Sequence, residues 1–291
     1  MAEKKIRSND RSRYFVQGIW ALITNSFLIG FIQGKIYQGK IKNVCVPGLN
    51  CYSCPGAIAS CPIGSLQAVI GSYEFKFAFY VAGFMIIIGS IMGRFVCGYL
   101  CPFGFFQDML HKIPFYKKPK TFKGDRPLRK LKYIILIVFV ILMPLFIVDI
   151  IGQGSPYFCK LICPAGTLEG GIPLVLMNET LQRTVGWLYA WKNILLVVTI
   201  IASIIIYRPF CKYICPLGAI YSIFNPVSIF KYRVNPEKCI HCHACATECK
   251  MNVDPVKNAN DLECIRCGKC KSICPTNAIE YSYFKKYTYK N

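Results

Sequence analysis

Apolar residues along this chain gather in long runs separated by short polar stretches. Four runs, 14–32, 75–95, 131–151 and 187–207, approach the roughly 20 apolar residues that cross a hydrocarbon core. Each carries a blemish: Asn25 in the first, Lys76 and Arg94 at the ends of the second, Pro144 and Asp149 in the third, Lys192 in the fourth. Charged side chains near helix ends can snorkel to an interface, so the pattern predicts four transmembrane helices. The first run follows a basic stretch, as a signal peptide would. It is long for one, however, and no small-residue cleavage site follows, so it is expected to remain as a helix. Beyond about residue 230 the runs stop and a polar, cysteine-rich tail begins.

Charge changes the picture by giving it a direction. The chain carries 35 basic and 14 acidic side chains, a formal net charge of +21. Such a balance invites a nucleic-acid reading, but the distribution follows the apolar runs. Lys4, Lys5, Arg7, Arg11 and Arg13 precede the first. Lys112, Lys117, Lys118, Lys120, Lys123, Arg126, Arg129, Lys130 and Lys132 fall between the second and third, and basic residues recur after Arg208. The two other connections are poorer. The positive-inside rule therefore predicts a multi-pass protein of the cytoplasmic membrane with both termini in the cytoplasm and no nucleic-acid partner.

The expected organisation is a basic segment 1–13, a first membrane unit 14–110, a basic linker 111–130, a second membrane unit 131–230 and a tail 231–291. The fold class expected is all-α membrane protein, two parallel-oriented repeats with short cluster-binding helices, followed by a small ferredoxin-like α+β domain.

Eighteen cysteines supply the candidate chemistry. In the tail, Cys239, Cys242, Cys245 and Cys249 are followed by Cys264, Cys267, Cys270, Cys274 and Pro275. Two uninterrupted runs of C-x2-C-x2-C-x3-C are the arrangement of a two-cluster bacterial ferredoxin, in which the fourth cysteine of each run serves the other cluster. One 4Fe–4S cluster is thus expected on Cys239, Cys242, Cys245 and Cys274, and a second on Cys264, Cys267, Cys270 and Cys249. Lys250 follows Cys249 where a proline is common. Zinc also takes paired C-x2-C motifs, but the continuous runs favour clusters. His241 and His243 are read as loop residues between ligands.

Inside the apolar part a second pattern repeats. Arg94, Cys97, Tyr99, Cys101, Pro102 and Gly104 recur at identical spacing as Arg208, Cys211, Tyr213, Cys215, Pro216 and Gly218. Two further C-P-x-G motifs begin at Cys61 and Cys163, preceded by Cys54 and Cys159. One C-x3-C pair cannot complete a 4Fe–4S site, but two related pairs can. An inner cluster is expected on Cys97, Cys101, Cys211 and Cys215, and an outer one on Cys54, Cys61, Cys159 and Cys163, with Cys51 competing for the place of Cys54. The cofactor complement would be four 4Fe–4S clusters. Proline suits the first position of a helix, so short helices are predicted at 62–70, 102–110 and 216–224, each with its positive end toward an anionic cluster. Cys45 and Cys51 lack counterparts and form a candidate disulfide. A quinone pocket has only Tyr99, Asp108, His111 and Tyr213 to draw on, weak candidates that read better as interface or helix-surface residues. No nucleophile–base set, phosphate-binding glycine loop or zinc-protease motif is visible, so no catalytic residue is assigned.

The C-P-x-G motifs beside apolar helices, followed by the two-cluster tail, resemble the NapH-type family of integral-membrane polyferredoxins over about 75–285. The resemblance implies membrane residence, 4Fe–4S clusters and electron exchange between a cytoplasmic or quinone pool and an exported redox partner. The expected function is electron transfer between a cytoplasmic donor such as a ferredoxin and an extracytoplasmic, flavin-carrying acceptor. The alternatives are a subunit of a quinol dehydrogenase, and a redox sensor or maturation factor. The cysteine-rich stretch 45–61 departs from the simplest form of the family pattern.

Overall fold

The first apolar run is the second half of one long helix, Ala2–Thr24. It stops where polar side chains fold back on it. Thr24 Oγ1 donates to the Trp20 carbonyl at 2.9 Å, and Asn25 Nδ2 to the Ala21 carbonyl at 3.0 Å. The run resumes only as Ile29–Gln33, closed by Gly34 in the left-handed region. The computed structural model describes residues 2–72, 78–115, 118–148 and 153–283.

The other runs are shortened in different ways. The second forms Ala78–Met92, 15 residues, ended by Gly93 at φ 52°. At about 1.5 Å per residue its described part spans about 22 Å, against a hydrocarbon core of roughly 30 Å. The third is divided into Leu131–Ile135, a π-helical stretch Leu136–Leu142, and Met143–Phe146. Pro144 has no N–H to give and would crowd a carbonyl four residues back, and the widened turn accommodates it. The expected ends of these runs, 75–77 and 149–151, lie outside the described residues, as does 284–291 of the tail. Only the fourth persists, as Trp187–Ile205, with mean hydropathy 1.9 over its apolar window.

The expectation of four transmembrane helices is therefore corrected. Among the described residues one helix is long and apolar enough to cross a membrane; the first run breaks at Asn25, the second turns at Gly93, and the third passes through a π-helical stretch ahead of Pro144. The expected boundary at residue 13 also falls inside a continuous helix. Short helices do occupy Pro62–Ile70, Pro102–Leu110 and Pro216–Phe224, each opening on its proline.

The two units pack through a shared core that includes Val81, Met85, Phe103, Val140, Phe210 and Leu217, with Phe103 edge-on to Phe210 at 5.1 Å. The tail is small. Strands Lys231–Val234 and Ile279–Ser282 pair antiparallel with Tyr232 opposite Tyr281, beside the helices Ala244–Glu248 and Lys269–Ile273. Buried arginine fixes it to the core. Arg266 donates to the Met92 carbonyl at 2.7 Å and the Asn225 carbonyl at 2.8 Å. The first helix clasps it from the other side: Asn9 donates to the Cys267 carbonyl at 3.0 Å, and Asp10 pairs with Lys269 at 3.0 Å.

Candidate metal centres

The tail repeats itself after 25 residues, and its backbone shows it. His241, His243 and Asn252 have positive φ, and so do Arg266, Gly268 and Asn277 at the equivalent positions. L-residues enter this region at a cost, so the matching set marks a backbone folded to turn its N–H groups inward. The N–H of Val253 points at Cys249 Sγ at 3.4 Å and that of Ala278 at Cys274 Sγ at 3.2 Å. One pocket is lined by Cys239, Cys242, Cys245 and Cys274, the other by Cys249, Cys264, Cys267 and Cys270. Each run thus lends its last cysteine to the other pocket.

The repeated motifs make two further quartets. Cys97, Cys101, Cys211 and Cys215 are all buried in the shared core. Burial pushes the Cys215 thiol well up, and the neighbouring sulfurs of Cys211, Cys97 and Cys101 add to it. Cysteine opens the helix in both motifs, accepting from the N–H three residues on: Gly104 to Cys101 at 3.3 Å, Gly218 to Cys215 at 3.4 Å. The arginines cross over. Arg94 Nη2 donates to the Cys211 carbonyl at 3.1 Å, and Arg208 Nη1 donates to the Cys97 carbonyl. A Cβ on either motif glycine would press on these carbonyls at 3.2 Å, which explains the glycine.

The fourth quartet differs from the expected one. Cys51, Cys61, Cys159 and Cys163 line a cavity of about 340 Å³ together with Leu49, Tyr52 and Lys192. Cys54 lies apart from it, its thiol donating to Asn25 Oδ1 at 3.6 Å. Cys45 is a buried free thiol hydrogen-bonded to Ser65, and Cys51 is also free, so the candidate disulfide is absent. Burial pushes the Cys51, Cys61 and Cys159 thiols up to about 12.

One set of contacts was not foreseen. The residue six positions after each C-P-x-G cysteine is Gln67, Gln107, Glu169 or Tyr221. Gln67 donates to Cys159 Sγ at 3.3 Å while accepting from the Phe158 N–H at 2.9 Å. Gln107 does the same at the other quartet, with Cys211 Sγ at 3.2 Å and the Phe210 N–H at 3.2 Å. Glu169 accepts from the Cys51 N–H at 2.6 Å, and Tyr221 donates to the Pro47 carbonyl at 3.0 Å. Aligning the four motifs beyond their glycines would have exposed the position, although its residue types differ.

The weak quinone candidates are engaged elsewhere. Asp108 pairs with Arg208 at 2.5 Å and Arg13 at 3.0 Å, and Tyr213 donates to Asp125 at 2.5 Å. His111 contacts the Ser203 carbonyl at 3.3 Å and Tyr99 stacks on Phe95.

The donor sets suit iron–sulfur clusters: four thiols line each of three cavities, the Cys97 quartet is buried in the core, and N–H groups are directed at several of the sulfurs.

Comparison with known proteins agrees. One family profile, described as a 4Fe-4S binding domain, matches residues 77–123, 133–172 and 180–234, and a second of the same description matches 232–253 and 260–280. An uncharacterized protein of Methanocaldococcus jannaschii is 31% identical over 69% of this chain and 78% of its own length. The chain belongs to the 4Fe-4S binding domain family. A second uncharacterized protein of the same organism is 29% identical over 70% of the chain and 71% of its length. YccM of Escherichia coli, whose name assigns it to electron transport, is 29% identical over 65% of the chain, which spans 51% of YccM. No solved structure matches. The 4Fe-4S binding domain matches thus cover both the repeated part of the chain and its tail.

Proposed function

We propose that the chain conducts single electrons between a cytoplasmic donor, such as a ferredoxin, and an extracytoplasmic redox partner, such as a flavoprotein, in either direction. Four 4Fe–4S clusters would be held by the Cys239, Cys264, Cys97 and Cys61 quartets, named by one member each. Such clusters supply one-electron redox chemistry; the chain supplies spacing, insulation and hydrogen bonds to sulfur.

The observation that carries this reading is the contact between the tail and the core motifs. Gly98, next to Cys97, approaches Ile265, next to Cys264, so closely that a Cβ would collide with the Ile265 carbonyl. Arg94 spans the same gap, holding the Leu262 carbonyl at 2.8 Å and the Cys211 carbonyl. A quartet buried in the core is thus joined to one in an exposed, basic tail, where positive charge would attract an acidic donor.

Residence in the cytoplasmic membrane, with the basic tail toward the cytoplasm, is part of the proposal. It is supported by the exposed apolar face of Trp187–Ile205, where Ile194, Val197, Val198 and Ile201 are each at least half exposed. Membrane fractionation with an alkaline wash tests it, and recovery in the wash would refute it.

The deciding experiment is anaerobic iron and sulfide quantitation with EPR on the full chain and on Cys159→Ala/Cys163→Ala. About sixteen irons are expected in the parent and about four fewer in the variant. An unchanged count in the variant would refute the path to the Cys61 quartet.

A further inference from the structure

The last strand of the tail changes character along its length. Ile279 and Tyr281 share one face, and Tyr283 follows just past the strand end. Their exposure rises from 2% to 40% to 58%. The opposite face is polar, with Glu280 paired to Lys238 at 2.9 Å. Both tyrosines gather on Phe230, with ring centroids 5.3 and 5.7 Å from it.

This aromatic group adjoins an apolar one. The N–H groups of Ile229 and Phe230 donate to the Ser90 and Ile91 carbonyls, at 2.8 and 3.0 Å, near the end of Ala78–Met92. Exposed aliphatic side chains thus lead from Ile87 and Ile91 through Ile229 to the tyrosines. Positive charge comes next. Lys271 Nζ stands 3.7 Å from the centre of the Tyr281 ring. The sequence beyond Tyr283 adds Lys285, Lys286 and Lys290, with no acidic residue among 281–291.

Aliphatic, then tyrosine, then lysine is the order a bilayer surface selects, from acyl chains through the interface to anionic headgroups. We propose that Tyr281 and Tyr283, with Lys271 beside them, form a footing on an anionic phospholipid surface. The footing holds the tail against the headgroups. Tyr232, opposite Tyr281, lines the pocket of Cys264, so the lipid surface fixes the height of that site above the membrane. The inference rests on the membrane residence proposed above and goes beyond it in assigning the tail its own lipid contact.

The test uses the full chain in nanodiscs of phosphatidylcholine and phosphatidylglycerol. A diazirine phospholipid is included, photoreactive either in its headgroup or at its acyl-chain end, and adducts are located by mass spectrometry. The headgroup probe is expected to label Tyr281 and Tyr283. The acyl-chain probe is expected to label Val197 and Ile201 of Trp187–Ile205, and neither probe the exposed Ile240 beside Cys239. Omitting phosphatidylglycerol is expected to reduce tyrosine labelling by about fivefold, the weight of one lysine at such a surface. Unlabelled tyrosines alongside labelled Val197 and Ile201 would overturn the footing, leaving that face to solvent or to another protein. Tyrosine labelling that ignores phosphatidylglycerol would overturn it as well. Failure of membrane residence shows separately, as absent labelling of Val197 and Ile201, and it removes the footing with it.

Discussion

A carboxamide that donates to a cysteine sulfur while accepting from the N–H beside it fixes both the distance and the charge environment of that sulfur. Gln67 and Gln107 do this at separate quartets. Replacing either with Leu removes a donor worth about 1 kcal/mol, which is about 40 mV for one electron. Gln107→Leu is expected to lower the potential of the Cys97 site alone and Gln67→Leu that of the Cys61 site alone, as read by EPR-monitored titration. Asp108 offers a test of another kind. Burial pushes its carboxyl up, but Arg208 and Arg13 outweigh that and hold it at about 2. A depressed carboxylate contributes stability fully above its ordinary value of 3.8, and that stability is lost as pH falls toward 2. Thermal melts between pH 2 and pH 6 are expected to show a steep acid limb in the parent and a flatter one in Asp108→Asn, from a lower plateau. At this scale the cysteine pattern was legible because metal ligation dictates residue type and spacing. The choice of Cys51 over Cys54 was not, because it depends on Asn25 drawing Cys54 aside, a contact between distant residues.

Elements were read less well than residues. Apolar runs report burial or lipid contact but not continuity, and the breaks came from local chemistry. Asn25 and Pro144 were visible as blemishes, yet their effect depended on whether neighbours would absorb them. Gly93 looked unremarkable inside 75–95, although its φ of 52° turns the chain there. Its Cβ would stand 2.6 Å from Asn225 Oδ1, which receives the Arg94 N–H. Gly93→Ala is therefore expected to destabilise by about 1–3 kcal/mol, whereas Gly83→Ala, inside Ala78–Met92 with open space around it, should stabilise by up to about 1 kcal/mol. Denaturant titration of the pair checks the opposite signs. The short helices at 62–70, 102–110 and 216–224 were legible because proline at the first helical position acts within one turn.

For the molecule as a whole, the repeat was legible and its interlocking was not. Contacts between units depend on side chains reaching across a core whose packing no local pattern encodes. Arg94 is the clearest case, joining Glu263 at 2.8 Å, the Leu262 carbonyl and the Cys211 carbonyl in one buried site. Arg94→Met leaves Glu263 with Lys132 alone and is expected to cost about 3 kcal/mol. Limited proteolysis should then release the tail before the core is cut; simultaneous digestion would contradict this. The sixth-position residues carry a further consequence. Those of the first unit, Gln67 and Gln107, hold cysteines of the second, while those of the second, Glu169 and Tyr221, hold the Pro47–Cys51 stretch, which only the first possesses. Two copies of the first half would have no Glu169 or Tyr221 to hold either stretch, and two copies of the second would lack the stretch itself. If the halves descend from one ancestor, their divergence has become a mutual dependence, and neither could be restored to a symmetric dimer without rebuilding the other.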